Sequence, residues 1–125
     1  MITTKDRRMM DLAFKTAELS KHPRYLFGAL VVKGGNVLSI GVNSLNAPKR
    51  FFKPHRDNMH LHAEVAALCG ISKDRSKGST LYLGGLSAAG NEVNTMPCKT
   101  CLKAIDTMLI KRVVYSDNGQ IKELK

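Results

Sequence analysis

The stretch STLYLGGLSAAGNEVNTMPCKTCLKAIDTMLIKRVVYS, residues 79–116, contains the pattern that decides the fold. Two short apolar runs within it, STLYLGGL and KRVVYS, are typical of β-strands. Between them PCKTCLKAIDTML predicts a helix, which Pro97 can open because proline has no amide hydrogen to leave unpaired in the first turn. A strand, a helix and a second strand in this order predict a crossover connection, and therefore parallel pairing of the two strands.

The residues before this stretch predict a helix, a β-hairpin and a second helix. Thr3 or Thr4 can cap the first helix, and Pro23 closes it. The apolar residues of that helix recur at steps of three and four: Met9, Met10, Ala13, Phe14 and Ala17. The runs YLFGALVV and VLSIGV, separated by KGGN, are typical of a hairpin. After a basic loop, the second helix begins near His62 and ends at Gly70, a natural C-cap residue.

These elements predict an α/β protein built as a three-layer α-β-α sandwich, with a mixed central sheet of about five strands and helices on its faces. The final segment NGQIKELK is expected to form a turn and a tail. The 125 residues, 43% of them hydrophobic, are enough for one compact domain over residues 1–125. No apolar run approaches the ~20 residues that span a bilayer, and the charged N-terminus does not resemble a secretory signal. We therefore expect a soluble cytoplasmic protein with no membrane partner.

The net charge indicates the class of partner, and the cysteine content indicates the kind of site. Lys and Arg number 20 against 10 Asp and Glu, so the formal net charge of +10 favours partners that carry phosphate. Three cysteines cannot build a disulfide framework, and the close pair Cys98 and Cys101 indicates metal or redox chemistry in a reducing compartment.

A candidate metal site combines this pair with a histidine from the other predicted helix. Cys98 and Cys101 share one helix face at a helix start, where the helix dipole favours thiolates. His62 lies at the start of the preceding helix, and two helix starts can converge at one edge of a sheet. Because zinc prefers four ligands, three protein donors leave one position for water, which is typical of a catalytic site. Zinc lowers the pKa of bound water to about 7, and Glu64 is the obvious proton carrier.

The alternative to a catalytic site is a structural zinc site or a buried polar cluster. In that case Cys69 or His60 would complete four ligands, and Glu64 would lie beside the metal without a task. Considered alone, Cys69 is expected to be a small core residue near the end of its helix.

The motifs HAE at 62–64 and PCKTC at 97–101 resemble the H-x-E and P-C-x-x-C signature of the zinc-dependent cytidine and deoxycytidylate deaminase superfamily. GALVVKGGNVLSIGVN, GSTLYL and IKRVVYS are similar to that superfamily's first hairpin, third strand and fourth strand, so the resemblance covers nearly the whole chain. It implies that the cofactor is Zn²⁺, held by His62, Cys98 and Cys101, and that Glu64 moves protons during deamination.

The same resemblance implies substrate contacts and a homo-oligomer. Asn43 would hold the sugar or the base, the backbone around Gly28 and Ala29 would line the base pocket, and Ala63 would offer its amide to the pyrimidine carbonyl. From their position just before the active-site helix, Lys49, Arg50 and His60 are further candidates, for a substrate phosphate.

The leading functional hypothesis is hydrolytic deamination of cytosine to uracil in a small nucleotide such as dCMP. The alternative is a polynucleotide deaminase that edits cytosine or adenine in single-stranded DNA or RNA, which the net charge of +10 favours. A third possibility is a non-enzymatic zinc module that binds nucleic acid, in which Glu64 would be dispensable.

Overall fold

A computed structural model describes residues 2–44 and 62–124 of the chain. In this part the helices are α1 (Thr4–Ala17), α2 (Ala63–Cys69), α3 (Lys73–Ser76) and α4 (Lys99–Thr107). The strands are β1 (Tyr25–Lys33), β2 (Asn36–Val42), β3 (Thr80–Ser87), β4 (Arg112–Asp117) and β5 (Gln120–Glu123). The predicted basic loop after Asn43 falls almost entirely outside the described residues.

The strands form one mixed sheet in the order β2-β1-β3-β4-β5. β3 and β4 are parallel, with Thr80 opposite Arg112, as the crossover pattern predicts. The other pairs of neighbours are antiparallel. The fifth strand lies where the sequence predicted a turn and tail, so that part of the prediction was wrong. β5 is only four residues long and largely exposed, and such a short strand leaves little alternation to recognise.

Helices cover both faces of the sheet, so the predicted three-layer α/β architecture is confirmed. On one face α1 packs against the sheet through a cluster of buried residues that comprises Met10, Ala13, Leu30, Val32, Tyr82 and Val114. On the other face α2 and α4 contribute Ala63, Ala67, Leu68, Ala104 and Ile105 to a larger cluster with Ala29, Val31, Leu81, Leu83 and Val113. The starts of α2 and α4 therefore lie on the same face.

Two helix ends differ from the sequence prediction. The first helix ends at Ala17, before Pro23, and the chain then turns through Ser20, whose hydroxyl donates to the Asn43 carboxamide and main-chain carbonyl oxygens. Helix α4 begins at Lys99 with Cys98 as its N-cap, so Pro97 precedes the helix and does not occupy its first turn. Neither boundary therefore lies where the proline alone would place it.

A buried charge network joins the start of α1 to the far side of the sheet. Thr3 caps α1 in a capping box with Asp6, which is 2% exposed. The Asp6 carboxylate also accepts a 2.6 Å hydrogen bond from the Tyr82 hydroxyl and two bonds from the Arg112 guanidinium, at 3.1 and 3.0 Å. Arg112 in turn donates to Glu123 on β5. Burial acts to raise the pKa of Asp6, but its hydrogen bonds with Arg112, Tyr82 and Thr3 hold that pKa well below its ordinary value.

The close approach of α2 to the sheet depends on Gly41 of β2. A Cβ atom there would lie 2.5 Å from the Ala63 carbonyl oxygen, and closer still to the Ala67 amide nitrogen. Both are backbone atoms of α2, which cannot move aside without shifting the helix. The neighbouring Ser39 hydroxyl donates to the Ala67 carbonyl oxygen at 2.6 Å, which holds the helix at this distance.

We expect Asp6→Asn to lower the free energy of unfolding by about 3 kcal/mol at neutral pH, because it removes one member of a buried, hydrogen-bonded ion pair. The folded-state pKa of Asp6 is depressed, so its contribution is present above the ordinary Asp pKa of about 4 and is lost as the pH falls below it. Urea unfolding should therefore show a gap between wild type and variant that shrinks toward pH ~3. Asp11→Asn, at an exposed site on α1, is the control; an Asp6→Asn gap that does not change with pH would contradict this account.

We expect Gly41→Ala to destabilise the fold by about 3 kcal/mol or more, because the added methyl group meets backbone on two sides. Chemical unfolding of the purified variant measures this. Ile40→Ala is the matched control, since Ile40 precedes Gly41 on the same strand and is 52% exposed. A Gly41→Ala protein as stable as wild type would show that α2 is not held at this distance.

Candidate metal centre

His62 stands immediately before helix α2, as its N-cap residue. Its backbone is extended (φ −80°, ψ 145°), and its side chain makes no capping hydrogen bond to the helix. The helix begins at Ala63, so the extended backbone at His62 frees its side chain from the helical arrangement that Glu64 follows. His62 and Glu64 line the same cavity.

The two cysteines occupy the equivalent place in helix α4. Cys98 is the N-cap residue, with extended backbone (φ −73°, ψ 169°) and no capping hydrogen bond of its side chain. Cys101 follows in the first turn and is fully buried, packed against Val65 of α2. The two helix starts therefore meet, as predicted, and bring the imidazole and both sulfur atoms together.

The three donor atoms lie at distances that suit one metal ion. His62 Nδ1 is 3.2 Å from Cys101 Sγ and 4.0 Å from Cys98 Sγ, and all three donor atoms lie within 4.8 Å of one another. Tetrahedral zinc, with bonds of about 2.0 Å to nitrogen and about 2.3 Å to sulfur, separates such atoms by roughly 3.5 Å. The two nitrogen–sulfur distances bracket that value, and one imidazole with two thiolates is a donor set that zinc prefers.

The electrostatics of the cluster also suit a cation. Burial raises the pKa of the Glu64 carboxyl, against hydrogen bonds from its own backbone amide and from the Cys101 thiol. Burial, together with the neighbouring Glu64 and Cys98, raises the pKa of the Cys101 thiol. Acidic groups this close together cannot all ionise easily, because their negative charges would repel one another. A divalent ion bound among them offsets this repulsion and stabilises the thiolates.

The cluster opens into a cavity of about 350 Å³, within the range of roughly 300 to 1000 Å³ that is typical of small-molecule sites. Its polar lining includes His62, Glu64 and Cys98 together with His22, Arg24, Asn43, Ser44 and Asn94. Its more apolar walls are formed by Tyr25, Phe27, Gly28, Ala63, Leu83, Thr95 and Met96. A mixed lining of this kind can enclose a planar ring and still address polar groups at its edge.

The predicted substrate contacts are placed differently from one another. Gly28, Asn43 and Ala63 line the cavity. Ala29 is fully buried in the core cluster on the side of α2. The remaining three candidates, Lys49, Arg50 and His60, lie outside the described residues.

The carboxamide of Asn43 is already bonded to the protein. Its oxygen accepts hydrogen bonds from the Ser20 hydroxyl at 2.6 Å and the Phe27 amide at 2.9 Å, and its nitrogen donates to the Tyr25 carbonyl at 2.9 Å. Asn43 thus joins the end of β2 to β1 and to the turn after α1. This structural role was not anticipated from the sequence.

Sequence reasoning missed several cavity residues. His22 and Arg24 come from the turn before β1, Tyr25 is the first residue of that strand, and Asn94, Thr95 and Met96 come from the loop before α4. Neither segment contains a metal-ligand motif or a periodic apolar pattern. Only the closeness of each segment to β1 or α4 in the sequence could have suggested that it reaches the cavity.

Cys69 does not behave as predicted. It is exposed, so its assignment as a small core residue was wrong. Among residues 2–44 and 62–124, the group of side chains able to hold a metal comprises His62, Cys98 and Cys101, without Cys69. The four-ligand site completed by Cys69 is therefore not formed, whereas His60 falls outside the described residues.

The described part of the chain contains no helix that is long and apolar enough to cross a membrane.

Comparison with known proteins identifies relatives along most of the chain. Residues 3–117 match the model of the cytidine and deoxycytidylate deaminase zinc-binding region. The riboflavin biosynthesis protein RibD of Aquifex aeolicus is 36% identical over 119 residues, which are 93% of this chain. This chain spans 29% of the length of that relative.

Solved structures show the same fold. The dCMP deaminase of cyanophage S-TIM5, in complex with dCMP and dUMP, is 28% identical with a TM-score of 0.67, and the match covers 92% of this chain and 82% of that one. The cytidine deaminase of Burkholderia pseudomallei has a TM-score of 0.70 over 95% of this chain and 91% of that one, at 18% identity, which shows likeness of fold alone.

The family match includes both segments that carry the metal donors, and the structure brings His62, Cys98 and Cys101 together as a zinc site requires. This chain therefore belongs to the cytidine and deoxycytidylate deaminase family and contains its zinc-binding region.

Proposed function

We propose that the protein is a zinc-dependent hydrolytic deaminase that converts cytosine to uracil in a small nucleotide such as dCMP. The observation that carries this proposal is that His62, Cys98 and the buried carboxylate of Glu64 line one cavity large enough for a small ligand. The S-TIM5 relative, which binds dCMP and dUMP, supports a pyrimidine nucleotide as substrate.

Bound zinc supplies Lewis-acid activation of water at neutral pH. The protein's own contribution begins with Glu64, which accepts a proton from the attacking water at a carboxylate oxygen. Glu64 delivers this proton to the ring nitrogen while the water oxygen bonds to the amine-bearing carbon. It then moves the second proton from the hydroxyl that this carbon has gained to the amine, so the carbon–nitrogen bond breaks, ammonia leaves and a carbonyl remains. The buried position of Glu64 keeps these transfers away from bulk water.

The cavity walls suit a flat base. Phe27 and Leu83 come from the central strands, and Met96 precedes the helix that carries the cysteines. Ala63 lies between His62 and Glu64 and lines the cavity, and we assign its backbone amide to the pyrimidine carbonyl. These contacts would orient the ring with its amine toward Glu64.

A second candidate substrate is a pyrimidine carrying a phosphoribosylamino group. The 36% identity with RibD favours it. A solved structure from Thermotoga maritima, 23% identical and so alike in fold alone, is described as a diaminohydroxyphosphoribosylaminopyrimidine deaminase and reductase. Both candidates have an exocyclic amine on a pyrimidine ring and a phosphate, so the same zinc and Glu64 chemistry serves either.

A substrate panel tests the proposal. We expect the zinc-loaded protein to release ammonia from dCMP and to form dUMP, and we expect less turnover of deoxycytidine and of single-stranded oligonucleotides. Preferred turnover of the phosphoribosylaminopyrimidine would select the second candidate. Preferred turnover of oligonucleotides, with strong salt dependence, would instead indicate polynucleotide editing. Absence of ammonia release from all of them would refute the deaminase proposal.

We expect Glu64→Gln to keep its zinc and to lower kcat by about 10²- to 10⁴-fold, because the amide fills the same space but cannot carry the proton. Metal analysis and ammonia release measure the two effects separately. Glu18→Gln, at an exposed site after α1, is the control for the same chemical change. Near-wild-type turnover by Glu64→Gln would show that another group moves the proton.

A further inference from the structure

The turn between α1 and β1 forms one wall of the cavity. His22, Arg24 and Tyr25 all line the space that His62, Glu64 and Cys98 also line. Metal binding and proton transfer do not use this wall, so it is a candidate surface for recognising the rest of the substrate.

The backbone of this wall is held in place from several directions. The amides of Arg24 and Tyr25 both donate to His22 Nδ1, at 3.2 and 3.3 Å. The Arg24 carbonyl accepts from the Ala88 amide at 2.9 Å, and the Tyr25 carbonyl accepts from the Asn43 carboxamide at 2.9 Å. A side chain that starts from so fixed a backbone loses less freedom when it binds a ligand.

The guanidinium of Arg24 forms no ion pair with a carboxylate in the described part of the chain. The ion pairs recorded there join Arg112 to Asp6 and Glu123, and Lys122 to Asp117. Arg112, by contrast, has its guanidinium bonded on two sides. Arg24 is exposed and is one of the residues that line the cavity, so its guanidinium starts beside the space that a ligand would enter.

We propose that Arg24 binds the phosphate of the substrate and makes the enzyme select a phosphorylated pyrimidine over the free nucleoside. This inference rests on the proposed function and deepens it by assigning the phosphate contact to a described residue. A guanidinium can bind a terminal phosphate through two parallel hydrogen bonds, which a lysine cannot reproduce. The contact would fix the far end of the nucleotide while the base reaches Glu64. Arg24 is thus a specificity residue, and the reaction chemistry does not need it.

The test is a comparison of Arg24→Gln, Arg24→Lys and wild type with dCMP and deoxycytidine. We expect Arg24→Gln to lower kcat/KM for dCMP by about 10- to 100-fold, mainly through KM, and to leave kcat/KM for deoxycytidine within about twofold of wild type. Arg24→Lys should recover only part of the loss. Arg75→Gln, at an exposed arginine in α3, is the matched control and should leave both substrates unaffected.

A binding measurement separates failure of this inference from failure of the proposed function. Calorimetric titration with dUMP and deoxyuridine needs no turnover, and Arg24→Gln should weaken only the binding of dUMP. Equal losses for both ligands, or unchanged dUMP binding and unchanged preference for dCMP, would overturn the Arg24 assignment while leaving the deaminase proposal intact. Absence of turnover with a phosphate-dependent loss of dUMP affinity would refute deamination and still support the Arg24 contact.

Discussion

The metal centre depends on two helices that begin side by side on one face of the sheet. His62 and Cys98 occupy N-cap positions, which usually carry Ser, Thr, Asp or Asn, and neither side chain caps its helix. Each missing cap costs about 1 kcal/mol. Packing between the helices offsets this loss, because Val65 of α2 and Cys101 of α4 form a buried cluster of their own. A bound metal satisfies the donors that the helices do not use.

Strand β2 of the sheet positions the helix that carries His62 relative to the other walls of the cavity. Gly41 lets α2 approach β2 closely, and Asn43, two residues later on the same chain segment, bonds to Ser20, Tyr25 and Phe27. One end of β2 thus positions both the helix that carries His62 and the turn that carries Arg24. A cavity held on both sides in this way can orient a small ligand without rearranging, which is the basis of positional catalysis.

The metal donors could be predicted from the sequence because each motif that carries them is local. Cys98 and Cys101 are three residues apart at a helix start, and His62 opens the H-x-E motif at the start of the preceding helix. The parallel pairing of β3 and β4 followed from the strand, helix and strand order. The exposed Cys69, the short β5 and the position of Pro97 outside α4 were not predicted correctly, since element ends and single-residue burial depend on neighbours that local patterns do not specify.

The sequence by itself therefore determined the donor set, the family and the layered α/β architecture, because spacing and hydrophobic periodicity act over a few residues. Only the tertiary structure decided which distant side chains share a space. It paired Asp6 with Arg112 across 106 positions, and it brought Arg24 and Met96 to the cavity that Glu64 lines. Such pairings arise from how whole elements pack against the sheet, and no local spacing pattern in the residues between them indicates the distance at which they meet.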